Sequence, residues 1–278
     1  MATMLTWWQT IPSRIDPIAF SIGAFDIRWY SIMYLVAILV GYALFIRVAL
    51  KHGHGDWLQH TSSLLNFCII GIVVGARLGY VLFYDLASFI AHPLSIIWPF
   101  ENGLYVGISG LSYHGGAIGF LLALAIACRR YKLPFLSILN QMMLGVPLGY
   151  FFGRIGNFLN LELYGRATHL PIGMIFPTDP SHLLRFPSQL FEALGEGLVL
   201  FALLVWVERH VWGKNYLTPA YLMGYGTIRF GLEFLREPDP FQRLVFGVFS
   251  YGQILSVLTL VVGLVFIPIY RHYEHQQK

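Results

Sequence analysis

Seven stretches of the chain are apolar for long enough to form helices that cross a bilayer: Trp29–Leu50, Thr61–Tyr84, Tyr113–Cys128, Leu139–Phe158, Pro187–Val207, Leu217–Leu235 and Ser250–Tyr270. A bilayer core asks for about 20 mostly apolar residues per helical span. The third run is short, and the fourth carries Pro147 in its middle. The first 28 residues lack a basic stretch leading into an apolar core and a small-residue cleavage site. The first apolar run is therefore expected to stay in the protein as a span.

Composition agrees with this pattern. The chain is 56% hydrophobic and 12% charged, against about 25% charged residues in an ordinary soluble domain. Its mean hydropathy is +0.63. A soluble protein of 278 residues has no means of hiding so much apolar surface. The expected class is an all-α polytopic membrane protein, residues 1–278 forming one integral-membrane domain. Outer loops 85–112, 159–186 and 236–249 are expected to form a small cap. Cys68 and Cys128 both fall in apolar runs and read as packing residues rather than a disulfide or metal pair. No Cys/His cluster has zinc spacing, and nothing points to nucleic acid.

Loop charge orients the bundle, because cytoplasmic loops carry an excess of Lys and Arg. Arg47 and Lys51 follow the first run; Arg129, Arg130 and Lys132 follow the third. Arg209 and Lys214 follow the fifth, and Arg271 and Lys278 follow the seventh. All four lysines fall in this set. The connection 85–112 carries no Lys or Arg. With seven spans the N-terminus is expected outside, on the periplasmic side, and the C-terminus in the cytoplasm.

The remaining basic residues are all arginine: Arg14, Arg28, Arg77, Arg154, Arg166, Arg185, Arg229, Arg236 and Arg243. They fall on the outer half of the spans or within them, where a charge costs roughly 2.5–3.5 kcal/mol or more. Arginine rather than lysine suits bidentate recognition of phosphate or carboxylate. Glu162, Asp179, Glu233, Glu237 and Asp239 are available as partners. Such pairing is expected for Arg14 and Arg243, whereas the arginines of the polar motifs are expected to serve a ligand instead.

Those motifs sit on helical faces. Arg154 and Asn157 are three apart on the fourth run, and Gly145, Gly149 and Gly153 form a small-residue stripe beside them. Gly71, Gly75 and Gly79 form a second such stripe on the second run. Helix packing is the expectation for both stripes. On the sixth run Tyr225, Arg229, Glu233 and Arg236 follow at spacings of four, four and three, which places them on one stripe. Arg229 and Glu233 suit a structural ion pair as well as a ligand site. His114, followed by Gly115 and Gly116, reads by itself either as a hydrogen-bonded packing residue or as a proton carrier. Trp29 and Tyr30 alone read as an interfacial aromatic belt. Glu192 and Glu196 share a face of the fifth run, where unpaired carboxylates are expensive, so bonds to neighbouring helices or protonation are expected.

The run Gly153-Arg154-Ile155-Gly156-Asn157-Phe158-Leu159-Asn160-Leu161-Glu162-Leu163-Tyr164-Gly165-Arg166 closely resembles the signature of the bacterial prolipoprotein diacylglyceryl transferases. The resemblance extends to Arg28-Trp29-Tyr30, Gly75-Ala76-Arg77, His114-Gly115-Gly116, Pro187-Ser188-Gln189-Leu190 and Tyr225-Gly226 through Arg236, in the same order along nearly the whole chain. It implies an inner-membrane, multi-pass enzyme that moves the diacylglyceryl group of phosphatidylglycerol onto the lipobox cysteine carried by a prolipoprotein signal peptide. It implies Arg154 as the arginine that holds the phosphatidylglycerol head group and Arg229 as the second essential arginine. Tyr30, His114, Asn157, Glu162, Gly165, Tyr225, Glu233 and Arg236 match other positions the family needs or favours. No metal or organic cofactor is implied. The sequence departs from the family pattern at Leu161, where glycine is usual, at Ser31, at Phe186, where histidine is usual, and at Phe191, where tyrosine is usual. These changes argue against a histidine or hydroxyl role near the fifth run and predict a slightly different loop shape after the fourth.

The expected reaction is attack by the acceptor's own cysteine, with no covalent nucleophile from the enzyme. His114 is the candidate to assist thiol deprotonation, and an arginine-stabilised thiolate is the alternative. A transporter or channel for an anionic solute is the rival from another class, since intramembrane arginines and small-residue helices serve that too. The absence of an internal repeat or of paired broken helices counts against it. A lipid scaffold without catalysis is a third possibility.

Overall fold

A computed structural model describes residues 2–23, 25–84, 86–98, 100–101, 104–105, 110–210, 215–237 and 249–276. Arg243 and most of the predicted 236–249 loop lie outside the described residues. The chain is mainly helical. In order, the helices are α1 (Ala2–Gln9), α2 (Trp29–Lys51), α3 (Thr61–Tyr84), α4 (Leu86–Ala91), α5 (Tyr113–Tyr131), α6 (Phe135–Met142), α7 (Val146–Leu159), α8 (Ser188–Glu192), α9 (Leu200–Arg209), α10 (Leu217–Leu232) and α11 (Tyr251–Gln276). Beside them the described residues form short 3-10 turns at Pro12–Arg14, Gly55–His60 and Pro93–Ile96 and three antiparallel two-stranded ribbons: β1 (Ile18–Ile22) with β2 (Phe25–Arg28), β3 (Phe100–Glu101) with β4 (Leu104–Tyr105), and β5 (Met174–Ile175) with β6 (Leu184–Arg185).

Each predicted apolar run is found as helix. Among the described residues four stretches are long and apolar enough to cross a membrane: Trp29–Lys51, Gly55–Phe83, Ser188–Arg209 and Tyr251–Tyr273. A fifth candidate is the pair α6 and α7, bent by 45° at a short break. The predicted fourth span is thus not one straight rod. Pro147 lies in the first turn of α7 instead of mid-helix, where its missing N–H is an orphan in any case. The Ser188–Arg209 span also departs from a uniform α-helix, because Ala193–Val199 forms a π-helical stretch between α8 and α9.

Two compact units emerge: residues 49–139, and residues 1–48 with 140–278. In the smaller unit α3 and α5 lie face to face. A Cβ on Gly75 would come within 2.7 Å of the Gly119 Cα, and one on Gly79 within 2.7 Å of the Gly115 Cα. The stripe Gly71, Gly75, Gly79 therefore packs as expected, and its partner stripe begins at Gly115. Cys68 and Cys128 are buried free thiols of this unit. Arg77 on α3 donates through Nε to the Ile96 carbonyl (2.7 Å) and through Nη1 to that of Gly110 (3.2 Å), with its guanidinium over the Phe89 ring.

In the larger unit the stripe on α7 behaves differently. Gly145 approaches Gly41, but a Cβ on Gly149 or Gly153 would meet nothing within 4 Å among the described residues. Those two glycines are not packing contacts there. The loop after α7 folds over its own small core of Phe158, Leu161, Met174 and Phe176, joined by Trp8, Ile11, Ile15, Tyr164 and Leu190. Trp8 anchors the N-terminal segment through its indole N–H to the Ile172 carbonyl at 3.0 Å.

Candidate functional site

The signature begins on α7, where a three-residue spacing puts Arg154 and Asn157 on one face. Arg154 Nη1 donates to Asn157 Oδ1 at 3.2 Å, and Nη2 donates to the Tyr150 hydroxyl, one turn earlier, at 2.7 Å. The Tyr150 ring also lies 4.8 Å from the guanidinium carbon. The facing wall comes from the fifth span. Glu192 Oε2 sits 2.7 Å from Arg154 Nε and accepts from the Tyr150 hydroxyl at 3.3 Å. The third wall is α10, whose Arg229 Nη1 lies 3.3 Å from that same Glu192 oxygen and 3.4 Å from Glu196 Oε1. Arg229 Nη2 is 3.0 Å from Glu233 Oε2, and Glu233 Oε1 accepts from the Ser250 hydroxyl at 3.0 Å. Tyr225 stands edge-on to the Tyr150 ring, with centroids 6.0 Å apart.

This is a charge cluster inside the apolar span region. Glu192 is 2% exposed, Glu196 0% and Glu233 9%, so the carboxylates are held nearly dry. Removing one partner of such a buried pair costs about 3–5 kcal/mol, because the survivor is left uncompensated. The arginines keep 15% and 11% of their side-chain surface accessible. The arrangement concentrates two planar guanidinium groups on a single oxygen position. That is how an anion is recognised by fork-shaped donors.

The signature loop is fixed from two directions. Asn157 Nδ2 donates to Glu162 Oε1 at 2.9 Å. Gln189 and Ser188, at the start of α8, donate to the carbonyls of Glu162 (2.6 Å) and Leu163 (3.0 Å). The Pro187-Ser188-Gln189-Leu190 motif thereby gains a concrete role as the clamp of the loop. Leu161 takes φ +58°, the left-handed region that glycine favours. The backbone a glycine would adopt easily is thus held by a leucine, whose side chain fills the loop core. Phe186 and Phe191, two further departures, pack against each other with centroids 6.4 Å apart.

Further along the loop, Arg185 bonds Asp179 through Nε to Oδ2 (2.7 Å) and Nη2 to Oδ1 (3.3 Å), and reaches Glu237 at 3.1 Å. The hydrogen bond from Arg185, helped by Ser181, holds the Asp179 carboxyl at about 2, below its ordinary 3.8. Gly165 pairs with Arg236 as an antiparallel bridge, and a Cβ there would collide with the Leu235 carbonyl and reach 3.0 Å from Phe186 Cβ. Arg166 Nε donates to the Arg236 carbonyl at 2.8 Å.

Of the residues expected at the site, Arg154, Asn157, Glu162, Arg229, Glu233 and Tyr225 are brought into one network. Tyr30 packs on the signature helix, its ring 3.3 Å from where a Gly156 Cβ would stand, and its hydroxyl bonds that of Tyr34 at 3.0 Å. Gly165 and Arg236 contribute through backbone pairing of the loop. His114 opens α5 in the other unit, exposed and edge-on to Tyr113. One expectation needs correction. The motif arginines do not stand apart from carboxylates: Arg154 and Arg229 both meet Glu192, and Arg185 meets Asp179. Arg14, expected to be paired, makes no ion pair among the described residues. Sequence reading expected Glu192 and Glu196 to bond neighbouring helices or be protonated, and they do meet arginines of neighbouring helices, but it gave them no functional role and did not single out Tyr150. The signal available was the i,i+4 carboxylate pair in an apolar helix, which demands cationic partners.

Comparison with known proteins places this geometry in context. The family model described as prolipoprotein diacylglyceryl transferase matches residues 17–269. A phosphatidylglycerol–prolipoprotein diacylglyceryl transferase of Chlorobaculum tepidum is 43% identical over 269 residues, covering 95% of this chain and 93% of that protein. One from Acinetobacter baylyi is 43% identical over 270 residues, covering 95% and 94%. One from Acinetobacter baumannii is 42% identical over 255 residues, covering 90% and 91%. With nearly its whole length matched, this chain belongs to the prolipoprotein diacylglyceryl transferase family.

Proposed function

We propose that this protein transfers the diacylglyceryl group of phosphatidylglycerol to the thiol of a prolipoprotein's lipobox cysteine. Its relatives carry the name phosphatidylglycerol–prolipoprotein diacylglyceryl transferase, and its long apolar helices suit a membrane enzyme. The observation that carries the mechanism is Arg154 and Arg229 converging on one oxygen. In the reaction the acceptor sulfur attacks the glyceryl carbon that bears the phosphate. A carbon–sulfur bond forms as the carbon–oxygen bond breaks, and glycerol phosphate leaves with the bonding pair. The two arginines meet the charge that develops on this leaving group, in a site where little water competes. The thiol proton passes to a base, for which His114 is the candidate, imidazole being suited to proton transfer near neutral pH. Tyr30, Asn157, Glu162, Gly165, Tyr225, Glu233 and Arg236 hold or line the lipid site.

The protein resides in the bacterial inner membrane with seven spans, N-terminus outside and C-terminus in the cytoplasm. Helices α5 and α10 supply the two spans beyond the five that length and apolarity alone support. This topology puts the loop after α7 on the outer side, where exported precursors present their lipobox. Transfer of labelled glycerolipid to a lipobox peptide by the purified protein tests the proposal. A protein that moves anionic solutes across vesicles without such transfer would be the transporter instead.

A further inference from the structure

The two arginines proposed to hold the lipid phosphate are not waiting empty. Glu192 Oε2 lies 2.7 Å from Arg154 Nε, 3.3 Å from Arg229 Nη1 and 3.3 Å from the Tyr150 hydroxyl. One carboxylate oxygen thus collects three donors from two other helices, as a phosphate oxygen held by both arginines would. We propose that Glu192 is a resident counter-anion occupying the phosphate position, and that lipid binding displaces it with uptake of a proton by the cluster.

Charge counting gives the reason for the proton. The cluster around Glu192 holds Arg154 and Tyr150 from α7 and Arg229 from α10, which touch it, with Glu233 of α10 and Glu196 of its own span on Arg229 and Tyr225 of α10 against the Tyr150 ring. Two guanidinium groups face three carboxylates, so the fully ionised cluster already carries one excess negative charge. Adding the singly charged phosphate diester would bring that excess to two, in surroundings where like charges repel strongly. Among the described residues Glu196 has one direct ion-pair partner, the Arg229 it shares with Glu192 and Glu233, and its Oε2 is buried without a hydrogen-bond partner. A carboxylate that loses its arginine has nowhere dry to keep its charge, and a proton removes the problem. The π-helical turn after Glu192 supplies an irregular backbone of the kind that recurs at functional sites. The exchange explains why a membrane site for an anionic lipid contains so many carboxylates: they keep the arginines neutralised when no lipid is bound.

This inference rests on the transferase reading for the identity of the anion, and its test is separable from that reading. Binding of phosphatidylglycerol in neutral detergent micelles, with phosphatidylcholine and inorganic phosphate as comparisons, is measured by calorimetry in buffers of different ionisation enthalpy. The wild-type protein should take up about one proton per phosphatidylglycerol, so that affinity falls by up to about tenfold per pH unit as pH rises. Glu192→Gln keeps the shape of the side chain but removes the resident charge. It should bind phosphatidylglycerol more tightly than wild type at pH 8, with little proton uptake and a flat pH profile. Equal proton uptake and equal pH slopes in the two proteins would overturn the proposal, as would binding without proton uptake in the wild type alone, whether or not the variant folds. Failure to bind phosphatidylglycerol at any pH would remove the phosphate position itself. Transfer to a lipobox peptide reports on the enzymatic reading independently: transfer without proton uptake refutes only the exchange, and proton-linked binding without transfer refutes only the enzyme.

Discussion

At the scale of single residues, geometry matters at Arg154 as much as charge. Its three nitrogens are used separately, Nε by Glu192, Nη1 by Asn157 and Nη2 by Tyr150. Lysine has one ammonium and no planar fork, so Arg154→Lys cannot hold all three partners. The variant should lose transferase activity by about a hundredfold or more, as displacement of a reacting centre by about 1 Å does; near-wild-type rates would show that charge alone suffices. A second prediction concerns Asp179. Its carboxyl titrates at about 2 in the folded protein against 3.8 ordinarily. The stabilisation from the Asp179–Arg185 pair is therefore complete above about pH 4 and is lost as pH falls through about 2. Hydrogen-exchange protection of the 174–185 backbone, taken relative to the intrinsic rate at each pH, should fall over that window in the wild type, and Asp179→Asn should show lower protection at neutral pH with no such acid step.

At the scale of elements, two stripes of glycine that look alike in sequence behave oppositely. A side chain at Gly75 must push into the backbone of α5, 2.7 Å from the Gly119 Cα, and backbone cannot yield as a flexible side chain does. Gly75→Val should lower thermal stability by at least the roughly 1–3 kcal/mol typical of overpacking. Gly149 faces open space among the described residues, so Gly149→Ala should leave the melting temperature unchanged or raise it slightly, since alanine favours helix by about 0.5–1 kcal/mol. Unfolding curves in detergent compare the two directly. Equal losses would show that Gly149 also meets a helix in the membrane.

At the scale of the whole molecule, the distribution of lysine is the clearest guide to topology. Single cysteines replacing His169, in the loop after α7, and Asn215, before α10, should react with an impermeant thiol reagent from opposite sides of the membrane. The background for that experiment is Cys68→Ser with Cys128→Ser. These thiols are buried and free, and the proposed reaction uses the acceptor's own sulfur, so the double variant should still transfer lipid. Labelling of both sites from one side would remove the seven-span arrangement.

The sequence by itself determined the class of molecule, its helices and the identity of its motifs. Apolar runs are local, and a helix that satisfies its own backbone needs no distant partner to be visible in the pattern. Thr61–Tyr84, for instance, is the same in the pattern and in the structure. The i,i+3 and i,i+4 spacings of Arg154 with Asn157 and of Arg229 with Glu233 were legible for the same reason. Tertiary structure alone decided what these groups meet. No spacing rule connects Arg154 to Glu192, 38 residues away, or sets Arg229 on the same oxygen. The break between α6 and α7, the π-helical turn after Glu192 and the open face of Gly149 likewise depend on which helices come together. Contacts between elements follow from packing in three dimensions, and it was packing that made Glu192 and Glu196 partners of the two arginines.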